Sequence, residues 1–208
     1  MYKLEQLLEE ILQIVEEKNL TIPVGISNRH IHLKQEDIEV LFGKGYELNK
    51  LKDLSQKGQY ASKETLTICG PKSIIEKVRV LGPARKETQV EVTAGDAMKL
   101  GVKAQIRMSG DINGTSGITL VGPKGTVILN QGLIVSQRHI HMNEEDAKRF
   151  DVKNGEMVSI IVEGARGGKY DNTCVRVDSS FTLECHLDTE EANSMGLNPN
   201  SKVSISKN

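Results

Sequence analysis

The ten residues VGISNRHIHL at 24–33 recur as LIVSQRHIHM at 133–142, about half of the 208-residue chain further on. Shorter echoes support the repeat. Asp96-Ala97-Met98-Lys99 resembles Asp146-Ala147-Lys148, and Gly-Pro-Lys occurs at both 70–72 and 122–124. Duplication of one small domain explains this self-similarity better than chance does. The sequence therefore predicts two related domains.

The patterning around the repeat is that of a mainly β protein. The chain contains three Phe, four Tyr and no Trp, so its core is built from Val, Ile and Leu, which favour strands. Short apolar runs alternate with Gly, Pro and Asn turns, which indicates barrels with short helical caps. The predicted strands are Thr21–Leu33, Thr65–Cys69, Gln89–Val92, Ala104–Met108, Ile118–Val121, Thr126–Leu129, Leu133–His141, Met157–Val162, Cys174–Val177, Thr182–His186 and Lys202–Ile205. The predicted short helices are Glu36–Phe42, Asp96–Leu100, Glu144–Phe150, with Asn143 as its N-cap, and Thr189–Met195.

An amphipathic helix is predicted over residues 2–18. Leucine, isoleucine and valine recur there at the spacing of one helix face, and Asn19 and Pro23 end the pattern. Residues 1–20 either pack on their own domain or act as a detachable tag that docks on another protein.

The residue composition and charge balance argue against several classes of protein. The 27 basic and 28 acidic residues balance to a net charge of −1, which does not indicate a nucleic-acid surface. No apolar run approaches the roughly 18 residues that span a bilayer, and the first twenty residues lack the apolar block of a signal peptide. Three cysteines form no disulfide framework or CxxC pair. We expect a soluble, cytoplasmic protein without membrane or nucleic-acid partners, and the sequence is compatible with a homo-oligomer.

The histidines indicate metal binding. Four of the five histidines form the pairs His30/His32 and His139/His141. On a strand, side chains i and i+2 leave the same face roughly 6.5–7 Å apart at their bases. Two imidazoles at that spacing can lean onto one metal ion. Two copies in a chain with almost no other histidine make metal binding a better explanation than chance.

Each pair needs a third ligand. His186 is the remaining histidine, and Cys185 is its rival, although strand alternation points these two side chains to opposite faces. The other site needs a carboxylate or thiolate. Glu91 stands out because β-branched residues flank it in Val90-Glu91-Val92, although a charge on a strand more often marks a solvated face.

Other residues could bind an anion. Arg29 and Arg138 face away from the metal on a regular strand, so we expect structural hydrogen bonds from them. Arg85, after the Gly82-Pro83 turn, has the planar fork that suits phosphate. Ser109 and the Gly-rich loop at 110–117 could add further donors.

At these residues the chain resembles the phosphate propanoyltransferase family, the zinc-dependent phosphotransacylases of propanediol-utilisation type. The resemblance runs from about residue 21 to the C-terminus and is carried by the motifs SNRHIHL at 27–33, GPAR at 82–85, QVEV at 89–92, RMSG at 107–110, QRHIHM at 137–142 and LECHLDTEEAN at 183–193. It implies two β-barrel domains, one discontinuous and made of 21–28 plus 137–208, the other of 29–136, with two zinc ions at their junction.

The resemblance also implies roles for individual residues. His30, His32 and Glu91 would bind one zinc, and His139, His141 and His186 the other. Arg85 and Ser109 would hold phosphate, with Arg85 catalytic. The reaction would be the reversible conversion of a short-chain acyl-CoA, propanoyl or acetyl, plus phosphate to acyl phosphate and CoA. Because phosphate is already a competent nucleophile near neutral pH, we expect direct transfer without a protein nucleophile. Family members in bacterial microcompartments carry a similar N-terminal helix, which implies packaging with shell or core proteins.

Two alternatives remain at this point. The first is a cupin-like metal oxygenase or isomerase, because His30, His32 and Glu36 mimic its His-x-His-x3-Glu spacing. The second is a non-enzymatic module stabilised by structural zinc. Such sites are usually closed by Cys and His ligands, and this chain has few cysteines near the pairs.

Overall fold

The computed structural model describes Gln6 and residues 20–207, so the predicted helix at 2–18 otherwise lies outside the described residues. These residues form fourteen strands: β1 (Ile22–Ser27), β2 (His30–His32), β3 (Lys50–Asp53), β4 (Tyr60–Cys69), β5 (Ile74–Gly82), β6 (Gln89–Val92), β7 (Gln105–Arg107), β8 (Ser116–Val121), β9 (Thr126–Ser136), β10 (His139–Met142), β11 (Met157–Val162), β12 (Gly168–Val177), β13 (Glu184–Asp188) and β14 (Lys202–Ser206). The helices of the same residues are α1 (Gln35–Phe42), α2 (Ala94–Leu100), α3 (Glu144–Arg149) and α4 (Thr189–Met195).

The described chain divides into two compact units. The larger unit contains 27–137 together with 188–190, and the smaller unit contains 20–26, 138–187 and 191–207. Each unit has its own apolar core. Branched aliphatic side chains dominate both cores, as the near absence of aromatic residues requires.

Six strands of the larger unit close into a barrel. β2 pairs parallel with β5 and antiparallel with β6. From β5 the circuit continues through β4, β8 and β9, and β9 pairs with β6 to complete it. Strands β3 and β7 extend this sheet beside β4 and β9. Ile31, between the two histidines of β2, is fully buried in the core.

The smaller unit is a second closed six-stranded barrel, in the order β1-β13-β10-β12-β11-β14. Its strand β10 pairs parallel with β12 and antiparallel with β13, which repeats the arrangement of β2 between β5 and β6. The predicted fold class, two β-barrels related by duplication with short helical caps, is therefore confirmed.

The structure corrects several strand boundaries. The single strand predicted at Thr21–Leu33 is two strands, because the chain bends at Arg29. Beside the bend, the carbonyl oxygen of Asn28 accepts a 2.8 Å hydrogen bond from His30 Nδ1. The run predicted at Leu133–His141 is likewise divided between β9 and β10. Strand β5 was missed because Glu76 and Lys77 are both exposed, which interrupts the alternation of apolar and polar positions. Strand β3 was missed because all of its residues are exposed.

The helices lie where they were predicted, within two residues at each end. Asn143 caps α3 as expected, since its Oδ1 accepts a hydrogen bond from the amide of Asp146 at 2.9 Å. No helix of the described residues is long and apolar enough to cross a membrane.

Candidate metal centres and anion site

The first cluster of metal-binding side chains lies on neighbouring strands of the larger barrel. In the antiparallel register of β2 and β6, His30 stands opposite Glu91. His32 follows His30 by two positions, so all three side chains leave the same face. One ligand atom from each residue lies within 4.8 Å of the others.

Distances in this cluster fit a metal ion. His30 Nε2 lies 3.5 Å from Glu91 Oε2, and His32 Nε2 lies 3.8 Å from Glu91 Oε1. Ligands bound tetrahedrally at ~2.0–2.1 Å from zinc are separated by roughly 3.4 Å. The second nitrogen of His30, Nδ1, donates to the carbonyl oxygen of Asn28, which leaves Nε2 as the ligand atom.

Burial and neighbouring charges shift the pKa values of all three residues in this cluster. Burial alone would lower the pKa of His30, but attraction to Glu91 and their hydrogen bond outweigh burial and raise it. The pKa of Glu91 is held well below its usual range, because the two histidines outweigh a burial that would raise it. The pKa of His32 is lowered by burial and by the charges of His30 and Arg85. Glu91 is only 7% exposed, so it does not lie on a solvated strand face.

The second cluster repeats this geometry in the smaller barrel. His139 stands opposite His186 in the antiparallel register of β10 and β13, just as His30 stands opposite Glu91. The ring centroids of His139, His141 and His186 are 4.6–4.9 Å apart. One ligand atom from each lies within 4.8 Å of the others. The duplicated motif therefore builds one potential metal site in each barrel.

The environment of His141 is compatible with metal binding by this cluster. Both of its ring nitrogens are buried, and neither has a hydrogen-bond partner among the described residues. Burial and the neighbouring His186 and His139 lower the pKa of His141 to about 2, so the ring is neutral and able to bind metal. Phe181 stacks on the imidazole at 3.9 Å between centroids, a contact that no pattern in the sequence indicated.

Cys185, the rival third ligand, is excluded from this cluster. It is fully buried in the core of the smaller barrel, on the face of β13 opposite to His186. Burial raises the pKa of its thiol to about 12, which disfavours the thiolate that binds metal.

The two residues predicted to bind an anion are in contact with each other. Arg85 Nη1 donates to Ser109 Oγ at 3.1 Å. The backbone of Arg85 is held beside the first metal cluster, because its amide donates to the carbonyl oxygen of Leu33 at 2.8 Å, directly after β2.

Gln89 joins this pair to the metal cluster, a role that was not predicted from the sequence. Its Nε2 donates to Glu91 Oε1 at 2.6 Å and to Ser109 Oγ at 2.9 Å. Its Oε1 accepts from the amide of Gly110 at 2.7 Å. Only its position two residues before Glu91, on the same face of the same strand, could have pointed to it.

Two of the donors in the Gly-rich loop at 110–117 are already used within the protein. The Gly110 amide is used by Gln89, and the Thr115 hydroxyl donates to the carbonyl oxygen of Ile112 at 2.7 Å. These groups support the loop itself. Ser109 is the member of this segment that contacts Arg85.

The arginines of the repeat are structural, as predicted. Arg29 Nε donates to Asp96 Oδ2 at 2.6 Å, and Asp96 in turn forms a capping box with Thr93 at the start of α2. Arg138 Nε lies 2.8 Å from Glu191 Oε1 on α4. Each motif arginine thus ties its strand to a helix of the same unit.

The cupin-like spacing is not realised. Glu36 lies in the first turn of α1 and is exposed, outside both clusters of ligand atoms in the described part of the chain. The carboxylate in the cluster with His30 and His32 is that of Glu91 on the neighbouring strand β6, whereas the cupin-like hypothesis required Glu36.

Comparison with known proteins finds similarity to one family. A family model described as phosphate propanoyltransferase matches residues 23–198. A phosphate propanoyltransferase of Thermotoga maritima is 51% identical over 197 residues, covering 94% of this chain and 93% of its own length. One of Rhodobacter capsulatus is 46% identical over 204 residues, covering 98% and 95% respectively. One of Lachnoclostridium phytofermentans is 51% identical over 197 residues, covering 92% of each chain.

Proposed function

The chain belongs to the phosphate propanoyltransferase family, and from that premise we propose that it transfers a propanoyl or acetyl group reversibly between CoA and phosphate at a zinc site. Family membership makes the protein a transferase. One observation carries the finer proposal. Gln89 donates hydrogen bonds both to Glu91, a candidate metal ligand, and to Ser109, and Ser109 also accepts a hydrogen bond from the Arg85 guanidinium. A metal site and an anion-binding group in one network are what transfer to phosphate requires.

We assign one zinc ion to His30, His32 and Glu91 and a second to His139, His141 and His186. The first donor set is of the kind found in catalytic zinc sites, which keep a coordination position open. When bound there, zinc would supply Lewis acidity toward a thioester carbonyl and affinity for a thiolate. The unpartnered ring nitrogens of His141 support the second assignment.

Arg85 would bind and orient the phosphate. Its guanidinium can donate two parallel hydrogen bonds to phosphate oxygens, and Ser109 Oγ adds a polar contact beside it. An oxygen of the hydrogen phosphate dianion attacks the carbonyl carbon, the C–S bond breaks, and the phosphate proton ends on the CoA sulfur. Holding both reactants in this geometry supplies much of the rate enhancement.

Phosphate is itself the nucleophile in this scheme, so transfer is direct and occurs within a ternary complex. The buried thiol of Cys185, with its raised pKa, is unsuited to accept the acyl group.

Isotope exchange tests direct transfer. Without phosphate, the enzyme is expected to exchange no labelled CoA into propanoyl-CoA, because no acyl-enzyme forms. With phosphate, exchange should appear together with propanoyl phosphate, which hydroxylamine traps. Rapid exchange in rigorously phosphate-free buffer would show a covalent intermediate and overturn direct transfer, while leaving the transferase activity intact.

The segment 1–20 is proposed to package the enzyme inside a bacterial microcompartment. Its sequence pattern supports this, since apolar residues recur at the spacing of one helix face with Glu and Gln between them. Deleting residues 1–20 is expected to leave kcat/KM for propanoyl-CoA within about twofold of the intact chain and to abolish co-purification with shells. Retained encapsulation of the truncated enzyme would contradict the proposal.

A further inference from the structure

Each metal cluster has a fourth side chain on the same face of its strand pair. In the larger barrel His32 stands opposite Gln89, and in the smaller barrel His141 stands opposite Glu184. The duplication therefore places Gln89 and Glu184 at equivalent positions, each two residues before the third ligand on its strand. Neither belongs to the three side chains whose ligand atoms converge.

Both residues contact the third ligand of their own cluster. Gln89 Nε2 donates to Glu91 Oε1 at 2.6 Å. Glu184 Oε2 lies 3.1 Å from His186 Nε2, within hydrogen-bonding distance of the ring. The two side chains differ because the candidate ligands beside them differ. The amide of Gln89 can donate to the carboxylate of Glu91, and the carboxylate of Glu184 can accept from the imidazole of His186.

The chain makes room for Glu184. A Cβ on Gly25 of β1 would lie 2.6 Å from the Glu184 carboxyl carbon, so any larger residue would displace that carboxylate. Gly25 does not have a positive φ, and the second copy of the repeat has Ile134 at the matching position. Neither the backbone conformation nor the motif requires a glycine here. We therefore attribute this glycine to the space that the Glu184 carboxylate needs.

We propose that Glu184 is a positioning residue that orients His186 for metal binding, as Gln89 orients Glu91. A carboxylate on one nitrogen of a metal-binding histidine fixes the ring and its tautomer and strengthens the other nitrogen as a ligand. This inference rests on the proposed function, because it takes the histidine cluster to be a metal site.

Zinc affinity tests it directly. Metal-free protein is titrated with Zn²⁺ against a chromophoric chelator, in a His32→Ala background that retains only the site of the smaller barrel. Glu184→Ala is expected to raise the dissociation constant of that site about 10–100-fold. Glu184→Gln should have a smaller effect, because its amide oxygen can still accept from the ring.

Gly25→Ala provides a second variant, since it keeps the carboxylate but displaces it. It should weaken zinc at the same site, whereas Thr182→Ala, an exposed change two residues before Glu184, should not. Unchanged affinity in both Glu184→Ala and Gly25→Ala would overturn the inference and leave the proposed function standing. Failure of the unsubstituted chain to bind zinc would instead contradict the proposed function.

Discussion

Replacing His32 with alanine is expected to lower kcat/KM for propanoyl-CoA by about three orders of magnitude and to remove one of the two proposed zinc ions. His32 is 3% exposed and contributes one of three ligand atoms to the first cluster. Its loss leaves two ligands, too few for a stable site. Loss of Lewis-acid assistance costs several kcal/mol in the transition state, and each ~1.4 kcal/mol is tenfold in rate.

A matched control separates this loss from general destabilisation. Glu36→Ala removes the exposed carboxylate that a cupin-like site would use, and it should change neither zinc content nor kcat/KM. Steady-state kinetics and metal analysis on both variants, with circular dichroism to verify folding, make the comparison. A folded His32→Ala protein with two zinc ions and full activity would refute the ligand assignment.

Replacing Arg85 with lysine is expected to lower kcat/KM for phosphate by about 10²–10³-fold, with little effect on zinc content. Arg85 donates to Ser109 and lies beside the first metal cluster. Lysine keeps the charge but lacks the planar fork that binds two phosphate oxygens. The loss should fall mainly on the KM for phosphate, with the KM for propanoyl-CoA changed far less.

Arg29→Lys is the matched control for Arg85. Arg29 belongs to the conspicuous histidine motif, yet its guanidinium pairs with Asp96 at the cap of α2. The control should lose some thermal stability and keep its KM for phosphate. The opposite pattern, with phosphate binding lost in Arg29→Lys and retained in Arg85→Lys, would reverse the roles given to the two arginines.

The histidine pairs could be predicted because the spacing that brings each pair together lies within a few residues of sequence. The i, i+2 spacing places His30 and His32 on one face of a strand in any β fold, and the repeat doubles that signal. The caps of the short helices were equally local, as Asn143 illustrates.

Features that depend on strand register could not be predicted in this way. Glu91 belongs to the first cluster because β6 pairs with β2 in a register that sets it opposite His30, and no sequence pattern between residues 32 and 89 indicates that register. Gln89 and Phe181 act through contacts with residues on other strands and loops, so their own sequence surroundings carry no signal. Strand β5 was hidden because Lys77, at a φ of 56°, interrupts its alternation.

The central claim is that zinc held by the repeated motif enables transfer of an acyl group to phosphate. Its most direct test is thiol release from propanoyl-CoA by the full-length protein, measured with and without phosphate, before and after metal removal by a chelator. The proposed mechanism predicts release that requires phosphate, disappears in the metal-free protein and returns when two zinc ions per chain are restored. Equal release by protein proven free of metal would contradict it.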